Sequence, residues 1–389
     1  MNKQQIPVIV LAGFLGSGKT TLLNHLLHRS GGSRIGAIVN DFGSIEIDAM
    51  SVAGQLGDST VSLGNGCLCC AVDASELDEY LERLARPSAG IDVIVIEASG
   101  LAEPQELVKM LLASENPHIV YGGLVEVVDA AEFDATRERH PEVDRHLGVA
   151  DLVVVNKADR VPREEHERVL GVVRGLAGRA AVVAASFGRV DVELFFDRAP
   201  VGERVGQLSF DDLRDEDDLR DEGDLRGDDG PRDQAEPSDG CRHHDHLHSA
   251  YESLSFVSEA PMKPRPLMAL LDSRPEGLYR IKGYVDFGPS DPANRYAVHA
   301  VGRFLRFYPE PWAPGEPRLT QLVLIGSDID VPALEKGLEA CREYAPQADE
   351  HGMWGVLRYV QEPDADEPDA DGPDGDELDA DEPDAEPAR

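Results

Sequence analysis

The sequence predicts an α/β domain with a mostly parallel sheet, followed by a smaller α+β domain. Apolar runs of strand length recur in the first half of the chain, at residues 7–12, 91–96 and 152–155, as in a chain of alternating strands and helices. An acidic low-complexity stretch then interrupts the pattern, and alternating strand-like segments follow it. We therefore expect an α/β domain, an acidic His-rich linker, an α+β domain and an acidic tail, at residues 1–200, 201–250, 251–360 and 361–389.

Length and composition are sufficient for two folded cores. The chain has 389 residues, of which 41% are hydrophobic. The N-terminus lacks the features of a secretory signal, and no segment approaches 18 uncharged apolar residues, so we expect a cytoplasmic protein without a membrane partner. Thiols are kept reduced there, which favours ligand or redox roles for clustered cysteines over disulfides.

The net charge of −37 is concentrated in two repetitive stretches. Residues 211–235 repeat a DLRDE-like unit, and residues 361–389 repeat an EPDAD-like unit. Neither can bury enough apolar surface to offset its ordering entropy, so we interpret the first as a linker and the second as a disordered tail. Solubility is the simplest role of this charge, with weak metal buffering or repulsion of nucleic acid as alternatives. Nothing in the sequence indicates a nucleic-acid partner.

The phosphate-binding pattern G-x-x-x-x-G-K-[ST] directly follows the strand at 7–12, in "GFLGSGKTT", and precedes an amphipathic helix. Glycines allow the backbone N–H groups at a helix N-terminus to approach phosphate closely. The lysine would neutralise the β- and γ-phosphates, and the first threonine hydroxyl would bind Mg²⁺. The predicted phosphate site consists of Gly13, Gly16, Ser17, Gly18, Lys19, Thr20 and Thr21.

A second motif predicts which base is bound. The strand at 152–155 ends in Asn156, Lys157, Ala158 and Asp159, the NKxD arrangement of GTPases. The aspartate can accept hydrogen bonds from guanine N1–H and N2–H, for which adenine has no matching donors. Ser186, at the end of the apolar run 180–186, is a further candidate for guanine contact. Without the phosphate loop, NKAD would indicate only a helix start with a surface acid.

Glu97 follows the strand at 91–96 and is predicted at the carboxyl edge of the sheet, where such sheets bind ligands. A GTPase needs a carboxylate there to hold Mg²⁺ and its water, and Gly100 follows three residues later, near a γ-phosphate. The alternative is a strand-end acid that caps the next helix.

The stretch "GNGCLCC" places Cys67, Cys69 and Cys70 between the phosphate loop and Glu97. This is where γ-phosphate-dependent rearrangement occurs in GTPases of this type. Three thiolates and a fourth ligand would form a tetrahedral Zn²⁺ site, and three buried small residues in a tight turn are the alternative. The fourth ligand is open among Asp41, Glu46, a histidine and water.

A histidine-rich tract follows the acidic linker and begins at Cys241. Imidazole suits Zn²⁺, Ni²⁺ and Co²⁺, so this tract is a second candidate metal site, with a solvated polar linker as the alternative. Its candidate ligands are His243, His244, His246 and His248.

The last folded part is predicted to have strands at 251–259, 278–287, 295–309 and 320–328, with helices at 263–273 and 331–344. Its size, roughly 110 residues, is plausible for an independent domain. Isolated polar and thiol side chains in it show no site-forming spacing, and we expect Cys341 and His299 in its core. These isolated residues are Lys282, His299, Trp312, Cys341 and His351.

The segments "GFLGSGKTT", "NDFGSIEID", "GNGCLCC", "EASGLAEP" and "NKAD", the His-rich loop and the C-terminal domain occur in an order that resembles the CobW-like P-loop GTPases, a metallochaperone family. The resemblance covers residues 6 to about 358. It implies a GTP-Mg²⁺ site at Gly13–Thr21, a metal site at the CxCC cysteines, and delivery of Zn²⁺ or a related ion such as Co²⁺ to a client metalloprotein. The family usually has glutamate after the asparagine of the switch, whereas this chain has Asp41.

The leading hypothesis is a slow, metal-stimulated GTPase in which nucleotide state controls metal release. Lys19, Asp41 and Glu97 are its predicted catalytic residues. A homo-oligomer is compatible with this hypothesis. The alternatives are a non-enzymatic zinc store or sensor, a cobalamin-pathway factor, and an activator of a metalloenzyme of the nitrile hydratase type.

Overall fold

The computed structural model describes residues 5–30, 32–40, 60–63, 74–100, 102–196, 251–344 and 348–360. A seven-stranded sheet occupies the first half of the described chain, and its strands pair in parallel in the order β3-β2-β4-β1-β5-β6-β7. Parallel pairing brings the carboxyl ends of these strands to one edge. The strands are β1 (Ile6–Ala12), β2 (Ile35–Asn40), β3 (Thr60–Leu63), β4 (Val93–Glu97), β5 (Ile119–Asp129), β6 (Leu152–Asn156) and β7 (Ala181–Ala184).

Helices cover both faces of this sheet, because its strands are almost continuously apolar and would otherwise expose that surface. On one face, Leu22, Leu23 and Leu26 of the first helix pack against Ile9 and Leu11 of β1. The remaining helices pack on the opposite face. The helices of this part are α1 (Lys19–His28), α2 (Ala74–Ala85), α3 (Pro104–Ala113), α4 (Phe133–Arg139), α5 (Glu142–Val149) and α6 (Arg163–Ala177).

The second half contains a five-stranded antiparallel sheet in the order β11-β10-β9-β12-β8, with helices packed on one face. Alternation of buried and exposed residues along β8 is typical of a strand with one buried face. The strands are β8 (Glu252–Ser258), β9 (Leu278–Val285), β10 (Asn294–Val301), β11 (Phe304–Pro311) and β12 (Thr320–Gly326). The helices are α7 (Pro264–Ser273), α8 (Val331–Ala340) and α9 (Glu350–Leu357).

The second sheet contacts the first near the amino ends of β5, β6 and β7. Asp151, directly before β6, is buried and accepts hydrogen bonds from the Leu124 N–H (3.0 Å), the Tyr121 hydroxyl (2.5 Å) and the Arg303 N–H of the β10–β11 turn (3.2 Å). The Ser327 hydroxyl donates to the Val182 carbonyl of β7 (2.9 Å). Three apolar residues of the second sheet also belong to the core beneath α1, namely Tyr279, Val301 and Ile325.

This architecture confirms the predicted fold class, an α/β domain with a parallel sheet and a smaller α+β domain. Two predicted elements differ: residues 295–309 form a hairpin rather than one strand, because Gly302 turns the chain with φ 51°, and the helix from 331 ends at Ala340. The boundaries near 200, 250 and 360 stay predictions, since 197–250 and 361–389 lie outside the described residues. Within the described residues, no helix is long and apolar enough to span a bilayer.

Candidate nucleotide site

The phosphate loop connects the end of β1 to the start of α1. Gly13 and Gly18 have φ values of 141° and 102°, in the region that favours glycine. A Cβ atom on Gly13 would overlap the Val127 carbonyl oxygen, and one on Gly18 would overlap the Asn156 amide. Close packing against the ends of β5 and β6 therefore requires glycine at both ends of the loop.

Lys19 is buried and its ammonium lies against the backbone of the loop. Its Nζ atom donates to the Gly13 carbonyl at 2.9 Å and to the Phe14 carbonyl at 3.3 Å. The buried Ser17 hydroxyl has no hydrogen-bond partner among the residues that the structure describes. The loop thus presents an ammonium and a hydroxyl whose protons a bound anion could accept.

Thr20 and Glu97 meet beside the loop. The Thr20 hydroxyl donates to Glu97 Oε1 at 2.7 Å, and Glu97 is only 4% exposed. Glu97 is the last residue of β4 and lies opposite Leu11 of β1, which places its carboxylate at the edge from which the phosphate loop begins. Hydroxyl and carboxylate oxygens are hard ligands, so this pair fits Mg²⁺.

Asn156, the last residue of β6, joins the phosphate loop to the loop after β7. Its side-chain amide donates to the Ser17 carbonyl at 3.0 Å, and its side-chain oxygen accepts from the Gly188 N–H at 2.9 Å. The residue is 2% exposed, so both bonds are shielded from water. Ser186 lies in the turn that ends with the Ser186–Arg189 bridge, on this same loop.

Lys157 extends from the NKAD segment toward the phosphate loop. Its ammonium donates to the Gly16 carbonyl and to Asp129 Oδ2, both at 2.7 Å. Asp159, two residues later, lies in a short 3₁₀ turn and is exposed to solvent. Its carboxylate is therefore accessible to a ligand.

The structure brings most of the predicted nucleotide residues to one edge of the sheet. Thr21 follows Thr20 on α1, with an exposed side chain, and its backbone approaches the loop that contains Gly188. The residues that meet at this edge are Gly13, Gly16, Ser17, Gly18, Lys19, Thr20, Glu97, Asn156, Lys157, Asp159 and Ser186. Their functional roles stay predictions.

Two acidic residues of β5 belong to this region and were not predicted from the sequence. Asp129 is the last residue of β5 and binds Lys157. Glu126 lies in register with Ala12, the residue before the phosphate loop, and is 2% exposed. Burial raises the pKa of Glu126 from its ordinary 4.5 to about 8, although the nearby Lys19 ammonium acts to lower it. The available signals were an acid at a strand end and an acid inside the apolar run "LVEVVD".

Apart from Thr20, the predicted Mg²⁺ ligand, the predicted metal ligands lie outside the described residues. These are Asp41, Glu46, Cys67, Cys69, Cys70, His243, His244, His246 and His248. In the part of the chain that is described, no group of three or more His, Cys, Asp or Glu residues is arranged to hold a metal ion. The metal assignments therefore stay predictions.

Cys341 and His299 lie in different surroundings. Cys341 is buried as expected, and burial raises the pKa of its thiol to about 11. His299 is only partly buried, and its Nε2 atom lies 3.0 Å from the Tyr121 carbonyl oxygen of the first sheet. His299 thus belongs to the contact between the two sheets rather than to the second core.

Comparisons with known proteins agree with both halves of this fold. The family profile "CobW/HypB/UreG, nucleotide-binding domain" matches residues 7–184, and "Cobalamin synthesis protein cobW C-terminal domain" matches residues 251–342. The chain is 30% identical over 374 residues to "Zinc chaperone CobW" of Sinorhizobium sp, covering 87% of this chain and 98% of that protein. It is 31% identical over 385 residues to the protein of the same name from Pseudomonas aeruginosa, covering 86% and 91%.

Among solved structures, the Zn(II)-bound YjiA GTPase from E. coli is similar at 21% identity and a TM-score of 0.40, covering 87% of this chain and 100% of that one. The two matching profiles and the near full-length relatives confirm the family predicted from the sequence motifs. The chain belongs to the CobW family of the CobW/HypB/UreG group.

Proposed function

We propose that this chain binds GTP with Mg²⁺ and hydrolyses it to control the binding and transfer of Zn²⁺ to a client metalloprotein. This proposal is supported by one observation: the predicted phosphate-binding residues and the predicted base-binding residues lie at the same edge of the first sheet. Thr20 and Glu97 lie together at the phosphate loop, and Asn156 links that loop to the segment after β7. Membership of a family with a nucleotide-binding domain supports the same conclusion.

The phosphate half supplies positive charge and donors. The Lys19 ammonium, now held by the Gly13 and Phe14 carbonyls, would exchange these acceptors for phosphate oxygens. Backbone N–H groups at the start of α1 would bind the same phosphates. Thr20 and Glu97 would hold Mg²⁺, which when bound neutralises charge on the β- and γ-phosphates. Asp41 is proposed to act in hydrolysis or as a metal ligand, a role carried over from the family resemblance.

The base half supplies specificity. The exposed carboxylate of Asp159 would accept from guanine N1–H and N2–H. Ser186 is proposed to contact the base from the turn that Asn156 supports. Discrimination against adenine follows because adenine would leave this carboxylate unpaired.

The transferred ion is proposed to be Zn²⁺, with Co²⁺ as a related alternative, held by Cys67, Cys69 and Cys70. Relatives over nearly the whole chain are named zinc chaperones, and thiolates prefer this metal. In sequence, these cysteines follow β3, and Asp41 directly follows β2, two strands that pair in parallel beside β4. The fourth ligand would be Asp41, Glu46, a histidine of 243–248 or water, and an open position would permit transfer.

Nucleotide titration tests the GTPase part of the proposal. The wild-type chain should bind GTP more tightly than ATP and hydrolyse it only with Mg²⁺ present. Asp159→Asn should lose affinity for GTP and gain affinity for XTP, because an amide can donate to the xanthine 2-oxygen. Binding of ATP as tight as GTP, or binding without turnover, would contradict the GTPase and favour a store or sensor.

Zinc dependence tests the metal part. Adding Zn²⁺ should change the GTP turnover or affinity of the wild type and of Cys341→Ser, whose thiol is buried in the second domain. Cys67→Ser should abolish that response because it removes one of three thiolates. An equal Zn²⁺ response in wild type and Cys67→Ser would show that the CxCC segment is not coupled to nucleotide. Capture of a partner by the Zn²⁺-loaded, GTP-bound chain would then identify the client.

A further inference from the structure

The side chain of Asp129 connects two loops of the candidate site. Asp129 Oδ1 accepts from the Ala131 N–H at 2.9 Å, and Oδ2 accepts from the Lys157 ammonium at 2.7 Å. The residue pairs with Asn156 in the β5–β6 register, so it stands directly beside the NKAD segment. The side chains are shielded, with 12% of Asp129 and 23% of Lys157 exposed. Partial burial makes this contact stronger than a surface ion pair.

Lys157 is constrained at both its backbone and its side chain. Its φ of 60° lies in the left-handed region, which is uncommon outside glycine. Its ammonium bridges Asp129 Oδ2 and the Gly16 carbonyl of the phosphate loop. The methylene stem is thereby stretched from the base-reading segment to the phosphate loop. If either acceptor were removed, the Lys157 side chain would regain rotamer freedom, and nucleotide binding would have to restrict it again.

We propose that Asp129 is a positioning residue for Lys157, and that this pair sets the affinity of the base half for guanine nucleotides. The inference rests on the proposed function, since it assigns a role within the same site. Asp129 acts through the lysine, which it holds against Gly16 as one wall of the base pocket. Its contact with Ala131 N–H uses the other oxygen and orients the carboxylate.

A double-mutant cycle on the full-length chain tests this assignment. The variants are Asp129→Asn, Lys157→Met and the pair, and the probe is a fluorescent GDP analogue. Asp129→Asn should weaken binding about tenfold, the size expected for one lost charge-assisted hydrogen bond. The loss should appear mainly in KM for GTP rather than in kcat. In the Lys157→Met background, Asp129→Asn should have no further effect beyond about twofold.

Asp134→Asn is the matched control, because Asp134 forms an exposed ion pair with Arg168 near the same strand end. It should bind the probe like wild type. Additive losses in the cycle would mean that Asp129 acts on the fold rather than through Lys157, and would overturn the proposal. Wild-type affinity of Asp129→Asn would overturn it as well.

Two further outcomes separate this inference from the proposed function. If Asp129→Asn does not fold, Lys157→Met still allows the proposal to be refuted, since the proposal requires this variant to lose about the same tenfold affinity. Unchanged affinity of Lys157→Met would overturn the assignment. If the wild type itself fails to bind guanine nucleotides, the proposed function fails, and the inference fails with it.

Discussion

The stability of Glu126→Gln, which replaces a buried carboxyl by an amide, should increase relative to that of the wild type as pH rises. Glu126 lies on β5 between Leu124 and Val128, which pack in the cores on the face covered by α3 and α5. Its Oε2 atom is buried without a hydrogen-bond partner among the described residues. Glu126→Gln keeps the size and shape of the side chain and removes its ability to ionise.

The direction of this pH effect on stability follows from the raised pKa of Glu126. Because burial raises the pKa of Glu126 from 4.5 to about 8, the folded protein binds this proton more tightly than the unfolded chain does. This contribution to stability is complete below pH 4.5, is lost as pH rises toward 8, and is constant above it. Each pH unit of displacement corresponds to about 1.4 kcal/mol. Between pH 5.5 and 8.5 the free energy of unfolding of the wild type should therefore fall by about 3 kcal/mol relative to that of Glu126→Gln.

Urea denaturation of both proteins at pH 5.5, 7 and 8.5 measures this difference, and other titrating groups cancel because the two chains share them. Glu138→Gln, an exposed substitution on α4, controls for loss of one acidic side chain. The reasoning would be refuted if the stability difference between wild type and Glu126→Gln stayed constant across these three pH values. A constant difference would report only the packing of the amide.

The same carboxylate should affect nucleotide binding at high pH. Once Glu126 ionises, its charge attracts the Lys19 ammonium and opposes a phosphate bound to that ammonium. The affinity of the wild type for GTP should therefore fall as pH rises through about 8. Glu126→Gln should show a smaller decrease across this interval, and an identical decrease in both proteins would contradict the coupling to Lys19.

Two further substitutions test other contacts. Thr20→Ala should reduce Mg²⁺-dependent GTP turnover on the order of 100-fold, since it removes the proposed Mg²⁺ ligand. Thr21→Ala, one position later and exposed, should reduce turnover much less, and equal losses would refute the assignment of Thr20. Gly302→Ala should lower the free energy of unfolding by about 2–4 kcal/mol, because its Cβ would overlap the Asp151 carboxylate at the contact between the sheets. Gly315 also has a positive φ, 81°, but open space around it, so Gly315→Ala should lower the free energy of unfolding by only about 1 kcal/mol in urea denaturation.

The strands nearest the motifs could be predicted from the sequence because local and tertiary signals agree there. Continuous apolar runs at 7–12 and 152–155 become β1 and β6, and each ends in a motif that needs a strand before it. The phosphate and base residues were predictable for the same reason. Asp129 could also have been found, since it ends a neighbouring parallel strand, but it belongs to no recognised motif.

The first half of β5 could not be predicted from the sequence because its glycines are explained by a contact with the second domain. Gly122 and Gly123 interrupt the apolar pattern, and the β1–β5 register shifts between Val8 and Ile9. Gly123 has φ 112°, and a Cβ atom there would lie 2.7 Å from a Val301 methyl group. The glycine admits the second sheet, a contact between residues far apart in sequence that no local pattern encodes.

The strands that carry the base half of the candidate site also contact the second sheet. At their carboxyl ends, β5, β6 and the loop after β7 carry the base-side residues Asp129, Asn156 and Ser186. Near their amino ends, the same strands contact the second sheet through Tyr121, Asp151 and Val182.

Moving the base-side residues would therefore require movement of β5, β6 and β7. These strands are packed on both faces and contact the second sheet near their amino ends. Glu97 and the strands β2 and β3 lie on the other side of β1 from those contacts, and Cys67, Cys69 and Cys70 follow β3 in the chain. Interiors that are close-packed respond to a ligand by switching between discrete arrangements rather than by gradual deformation. We therefore expect a change that depends on the γ-phosphate to occur on the β2–β4 side, with the base side as its fixed reference.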